Sequence, residues 1–130
     1  LKATFDVLKS SQKEFPNTHG LHNKANAFRH ALWNIFIAKQ CSLFSRKKHK
    51  IISWTKEFTD WHEDFSPNDE IPRVMDLHNN CIGRELFLKT PKSTHKQWVI
   101  LLKKQLRDAV QIVSVDDVVN YPTQLVYIES

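Results

Sequence analysis

Two glycines in 130 residues leave this chain few of the tight turns on which a many-stranded sheet depends. Helices joined by polar loops are the expected alternative, and the apolar spacing agrees. Ile51, Trp54, Phe58, Trp61 and Phe65 recur at three- and four-residue steps, as one face of a helix requires. The same reading gives a helix over residues 2–15 on Phe5, Leu8 and Phe15, ended by the turn cluster of residues 16–20. A second helix runs from Leu21 or Asn23 to Phe44. Its C-terminal half is apolar nearly all round, so it should be the central, buried one. Ser45 can cap the third, over 46–65, which the residues Ser66-Pro67-Asn68-Asp69 end. A fourth, from Glu70 or Pro72 to Leu88, carries the stripe Ile71, Met75, His78, Ile82 and Leu86. A fifth starts near Thr90-Pro91 or Ser93 and turns Trp98, Leu101, Leu102 and Leu106 inward.

The tail differs. Residues 110–119 are rich in β-branched side chains, and 124–129 read as a short strand or extended segment packed on the helices. The expected fold is all-α, about five helices around a central one with a short extended C-terminal segment. It forms a single domain over 1–130, and the leading Leu1 suggests excision from a longer protein.

Polar residues interrupt this pattern in three places. Asn26, His30 and Asn34 stand at i, i+4 and i+8, so one helix stacks them on one line, with Arg29 and Trp33 beside it. Such groups are costly in an apolar helix unless they find partners. Asp60, His62 and Glu63 in a second stretch, and Asp76, His78, Asn79, Asn80 and Arg84 in a third, are the proposed partners. Gly83 in mid-helix costs about 1 kcal/mol relative to Ala. A close approach of another helix or a ligand would explain it. The four tryptophans read as core, and Cys41 and Cys81 as free thiols on apolar faces.

Several function classes have no support. There is no HExxH, GxSxG or glycine-rich phosphate loop, no metal-finger spacing, and no apolar run of about 18 residues to span a membrane. No signal peptide opens the chain. A net charge of +5 fits an anionic partner, and its densest run is Arg46-Lys47-Lys48-His49-Lys50.

The three stretches together, Asn26 to Asn34, Asp60 to Glu63 and Asp76 to Arg84, resemble a family of small bacterial domains with the pattern N-A-F-R-H-A-x-W-N, D-x-H-E and D-L-x-N-N-x-x-G-R. Similar domains sit at the C-terminal end of secreted or polymorphic-toxin-like proteins. The resemblance implies a toxin or effector module, secreted or delivered as part of a larger bacterial protein, and an immunity-type protein that neutralises it.

Two functions are expected from these residues. The first is a hydrolase of a phosphate-bearing substrate, a phospholipid or a nucleic acid. One of His30 and His62 would be the general base and the other the general acid, with Glu63 or Asp76 orienting an imidazole. Arg29, Asn34, Asn79, Asn80 and Arg84 would bind substrate, the guanidinium groups holding phosphate. A divalent metal on His30, His62 and Asp76 is a variant, and glycan cleavage with Glu63 as acid a lesser one. The second function is a non-enzymatic helical binding module whose polar cluster is structural.

Overall fold

The computed structural model describes residues 6, 9, 10, 13, 14, 22–65 and 70–129, with the side chains of 62–65 left outside. The expected helix over 2–15 therefore falls mostly outside the described residues, and the turn at 16–20 and the break at 66–69 fall wholly outside. Four long helices follow: α1 (Lys24–Cys41), α2 (Lys48–Phe65), α3 (Glu70–Lys89) and α4 (His95–Leu106). Two-residue strands β1 (Val110–Gln111) and β2 (Val126–Tyr127) flank a 3-10 turn at Val115–Asn120 and pair in parallel, Val110 opposite Val126. The fold is mainly helical, as the glycine scarcity and periodicity require.

α1 is the central element. The Asn23 side chain caps it by accepting from the Asn26 backbone N–H at 3.2 Å. Phe28, Leu32, Ile35, Phe36 and Ala38 are buried along it. Ile82, Leu86 and Phe87 of α3 pack there, with Trp98, Leu102 and Leu106 of α4, Ile51 of α2 and Leu125 of the tail. Thr94 and Gln97 form a reciprocal capping box at the start of α4. Trp98 then closes the preceding turn by donating its indole N–H to Thr90.

Gly83 sits at a close contact between α1 and α3. A Cβ there would lie 2.2 Å from the carbonyl oxygen of Ala31. Of the two reasons offered for a mid-helix glycine, helix approach is the one observed.

α2 departs from expectation. Its buried positions are Ile51, Thr55 and Thr59, one helical line. The aromatic stripe read as core faces outward instead, with Trp54 42 %, Phe58 37 % and Trp61 56 % exposed. Trp33 and Trp98 are core as expected. The physical reason is that the interior beside α2 is polar. Threonine hydroxyls, not aromatic rings, meet what lies there.

The tail is packed, not appended. Met75, Ile112 and Val126 form a second small core. Backbone N–H groups of Ile128 and Glu129 donate to the His22 carbonyl, which joins the end of the described chain to the start of α1. No helix among the described residues is long and apolar enough to cross a membrane.

Candidate functional site

The three sequence stretches meet between α1, α2 and α3. Arg84 on α3 is buried and donates from Nη1 to Asn34 Oδ1 on α1 at 3.0 Å. It also reaches Thr59 Oγ1 on α2 at 3.4 Å and stands 3.7 Å from the Asp60 carboxylate. Lys56 holds the other oxygen of Asp60. The Thr59 hydroxyl lies 2.9 Å from Asn34 Oδ1 and 2.9 Å from the Thr55 carbonyl, and its single proton serves one of them.

Asn34 passes this order on. Its Nδ2 donates to the His30 carbonyl at 3.0 Å and to Asn80 Oδ1 at 2.8 Å. Asn80 Oδ1 lies 3.1 Å from His30 Nδ1, and His30 Nε2 lies 3.4 Å from Asp76 Oδ1. The Asp76 side chain is 4 % exposed and that of His30 12 %. Asn34 and Asn80 are wholly buried.

The donors and acceptors in this chain permit one assignment. A guanidinium only donates, so Asn34 must turn its oxygen to Arg84 and its amide nitrogen to Asn80. Asn80 must then offer its oxygen, so His30 Nδ1 carries a proton and donates. In a neutral ring Nε2 would then point a lone pair at the Asp76 carboxyl. That contact is favourable only if a further proton lies on His30 or on Asp76. A proton on Nε2 would let the ring donate to Asp76. The 3.4 Å separation exceeds the about 2.7–2.9 Å of a closed charge-assisted hydrogen bond. Asn80 Nδ2 and Asn26 Oδ1 are buried without a hydrogen-bond partner among the described residues. Asn80 thus keeps a donor next to His30.

Of the expected site residues, His30, Asn34, Asp76, Asn80 and Arg84 come together. Asn79 goes elsewhere. Its amide makes both hydrogen bonds to the Val126 backbone, at 2.9 and 3.0 Å, and so acts as a short strand for β2. Arg29 is half-buried on α1. The backbone at His62 and Glu63 continues α2, but both side chains lie outside the described residues. His78, on the expected stripe, donates from Nε2 to the Gln124 carbonyl at 2.7 Å, a structural tie. Thr55 and Thr59 are the members the sequence reading missed. Their signal was a repeat of polar β-branched residues at i and i+4.

Cys81 is not set up as a nucleophile. Both cysteines are free and half-buried. Burial and the neighbouring Glu85 push the Cys81 thiol up, against a smaller lowering by Arg84, so it stays protonated. Among the described residues no three His, Cys, Asp or Glu side chains gather to hold a metal ion.

No curated protein and no solved structure matches the chain. A family match covers residues 1–110, which contain all three motif stretches and every member of the network described above. The chain belongs to the family described as domain of unknown function DUF6973.

Proposed function

We propose that this domain is a hydrolase in which His30 and Asp76 do acid–base work on a phosphate-bearing substrate. The observation behind this reading is the approach of His30 Nε2 to Asp76 at 3.4 Å, with the other ring nitrogen held by Asn80 at the end of the chain that runs from Arg84 through Asn34. A network that only set helix register would have no need to fix the tautomer of a histidine at its outer edge. Here the ring presents Nε2 beside a carboxylate, an arrangement suited to passing a proton between His30 and a substrate oxygen. His30, as imidazolium, protonates the leaving oxygen, and Asp76 stabilises the charged ring. The base that activates water is assigned to the α2 segment carrying His62 and Glu63. Asn80 holds the His30 ring from within the core. Arg84 is a positioning residue, because it is buried and its Nη1 is engaged by Asn34, Thr59 and Asp60. The substrate class follows the net charge of +5. A toxin or effector setting belongs to the same proposal.

A second reading has its own support. Burial of Asn34, Asn80 and Arg84 suits a structural network that locks three helices in a non-enzymatic binding module. Assays of the purified chain against phospholipid, DNA and RNA separate the two, with growth of a bacterium expressing it as a second readout. On the hydrolase reading, His30→Ala and Asp76→Asn lose at least about a hundredfold in rate, the lower end of what acid–base catalysis contributes. Their circular dichroism should stay that of the native fold. Hydrolysis by both variants at the native rate, or no hydrolysis and no toxicity from the native chain, leaves the binding module.

A further inference from the structure

The second face of α2 carries a feature that the His30 centre does not use. Trp54, Phe58 and Trp61 stand at i, i+4 and i+7 and are exposed. The turn that leads into α2 adds Leu43 and Phe44, 75 % and 84 % exposed. Between α1 and α2 lies a groove of about 500 Å³ lined by Ile37, Gln40, Cys41, Phe44, Trp54 and Phe58. A contiguous apolar surface of this kind on a soluble domain marks an interaction site.

Charge identifies what it meets. Residues 15–56 contain eight Lys or Arg and not one Asp or Glu, while the whole chain is +5. Five consecutive exposed residues, Arg46, Lys47, Lys48, His49 and Lys50, directly follow the Leu43–Phe44 tip. Bulky apolar side chains at a protruding turn with cations beside them match a bilayer interface, where rings enter the acyl boundary and ammonium groups stay at the headgroups. Nucleic acid would use the cations but has no use for an open apolar groove with only Gln40 as a strong polar group. A protein partner would not require acids to be absent over so long a stretch.

We propose that the Leu43–Phe44 turn, the aromatic face of α2 and the basic run of residues 46–50 form a docking surface for an anionic phospholipid bilayer. This surface does not depend on the acid–base reading, since it uses neither His30 nor Asp76. Binding can be scored whether or not hydrolysis is found.

The test is co-sedimentation of the whole chain with vesicles of phosphatidylcholine alone and of phosphatidylcholine mixed with phosphatidylglycerol. The chain is expected to sediment with the mixed vesicles and not with the neutral ones, and to be released by salt. Leu43→Ser with Phe44→Ser should abolish sedimentation. Both lie in an exposed turn, so the thermal melt should not move. Lys47→Ala with Lys48→Ala should lower the partition coefficient roughly 25-fold, at about fivefold for each cation near an anionic surface. Failure to sediment with either vesicle overturns the proposal, as does equal sedimentation with both or binding that ignores Leu43 and Phe44. A dimer on size exclusion that Phe44→Ser returns to monomer would also overturn it, by giving the face to a second copy.

Discussion

Asn80 is the residue on which the candidate site turns. Its oxygen accepts from Asn34 and from His30 together, so Asn80→Ala strips two buried donors of their acceptor. At about 1–2 kcal/mol for each group left unsatisfied, the loss should be about 2–4 kcal/mol in urea unfolding. A loss below about 0.5 kcal/mol, as at a surface position, would mean that the amide is solvated and the tautomer of His30 unfixed. Asn79, its neighbour, points about 100° away along the helix and serves the tail instead. The sequence shows two asparagines side by side but not that they belong to different structures, because the partner of Asn79 is a backbone 47 residues away. Arg84 and Asn34 were legible as members of a polar cluster, since each breaks an apolar pattern. Their roles were not, because whether a guanidinium faces substrate or a buried amide depends on burial. Cys81 yields a second test. Its thiol is held up chiefly by burial and then by Glu85, so in a Cys41→Ser background it should alkylate more slowly than free cysteine at pH 8 and speed up in urea. With the sign followed through, a raised thiol disfavours the thiolate in the fold. Stability is therefore unaffected below the unfolded thiol pKa and falls as pH rises past it. Alkylation as fast as that of free cysteine in the folded chain would contradict this.

Among the elements, α1 and α3 set the geometry, and Gly83 sets their separation. Alanine at an unconstrained mid-helix glycine stabilises by about 1 kcal/mol. Here its Cβ would meet the Ala31 carbonyl oxygen at 2.2 Å, and backbone on both sides leaves nothing flexible to yield. Overpacking of this kind costs about 1–3 kcal/mol or more, so Gly83→Ala should destabilise on balance by roughly 1–2 kcal/mol. The sign decides the matter: a thermal melt that rises would mean the helices are not in contact there. The same substitution should move Asn80 and Arg84 away from Asn34, since all ride on these two helices. The helices themselves were readable from spacing, with ends off by two or three residues where caps and turns compete. α2 was readable as a helix but not in its orientation. Apolar periodicity assigns the inner face to the largest rings, and it fails where the interior is a hydroxyl and amide network. The polar line of Thr55 and Thr59 faces in, and Trp54 and Phe58 take the rim.

At the scale of the molecule, the fold does not stop where the family match does. The match ends at residue 110, yet Ile112, Leu125 and Val126 beyond it are buried. Leu125 enters the main core, and Val126 packs on Met75 and Ile112. β2 pairs with β1 and with the Asn79 amide, and residues 128 and 129 return to His22 at the start of α1. The sequence announced an extended tail through its β-branched run. It could not show that the tail is tied to the start of α1, because pairing over such a distance leaves no local pattern. The energetic weight can be judged. Three fully buried apolar side chains contribute about 1.5–3 kcal/mol each, and a domain has only about 5–15 kcal/mol in all. A chain cut after residue 110 should therefore lose most of its stability, exposing Met75 and leaving the Asn79 amide without its strand. The expected outcome is a broad, non-cooperative thermal transition and dye binding at 25 °C, with helical circular dichroism partly retained. A sharp transition close to that of the whole chain would show that α1 to α4 stand alone and that the tail only decorates them.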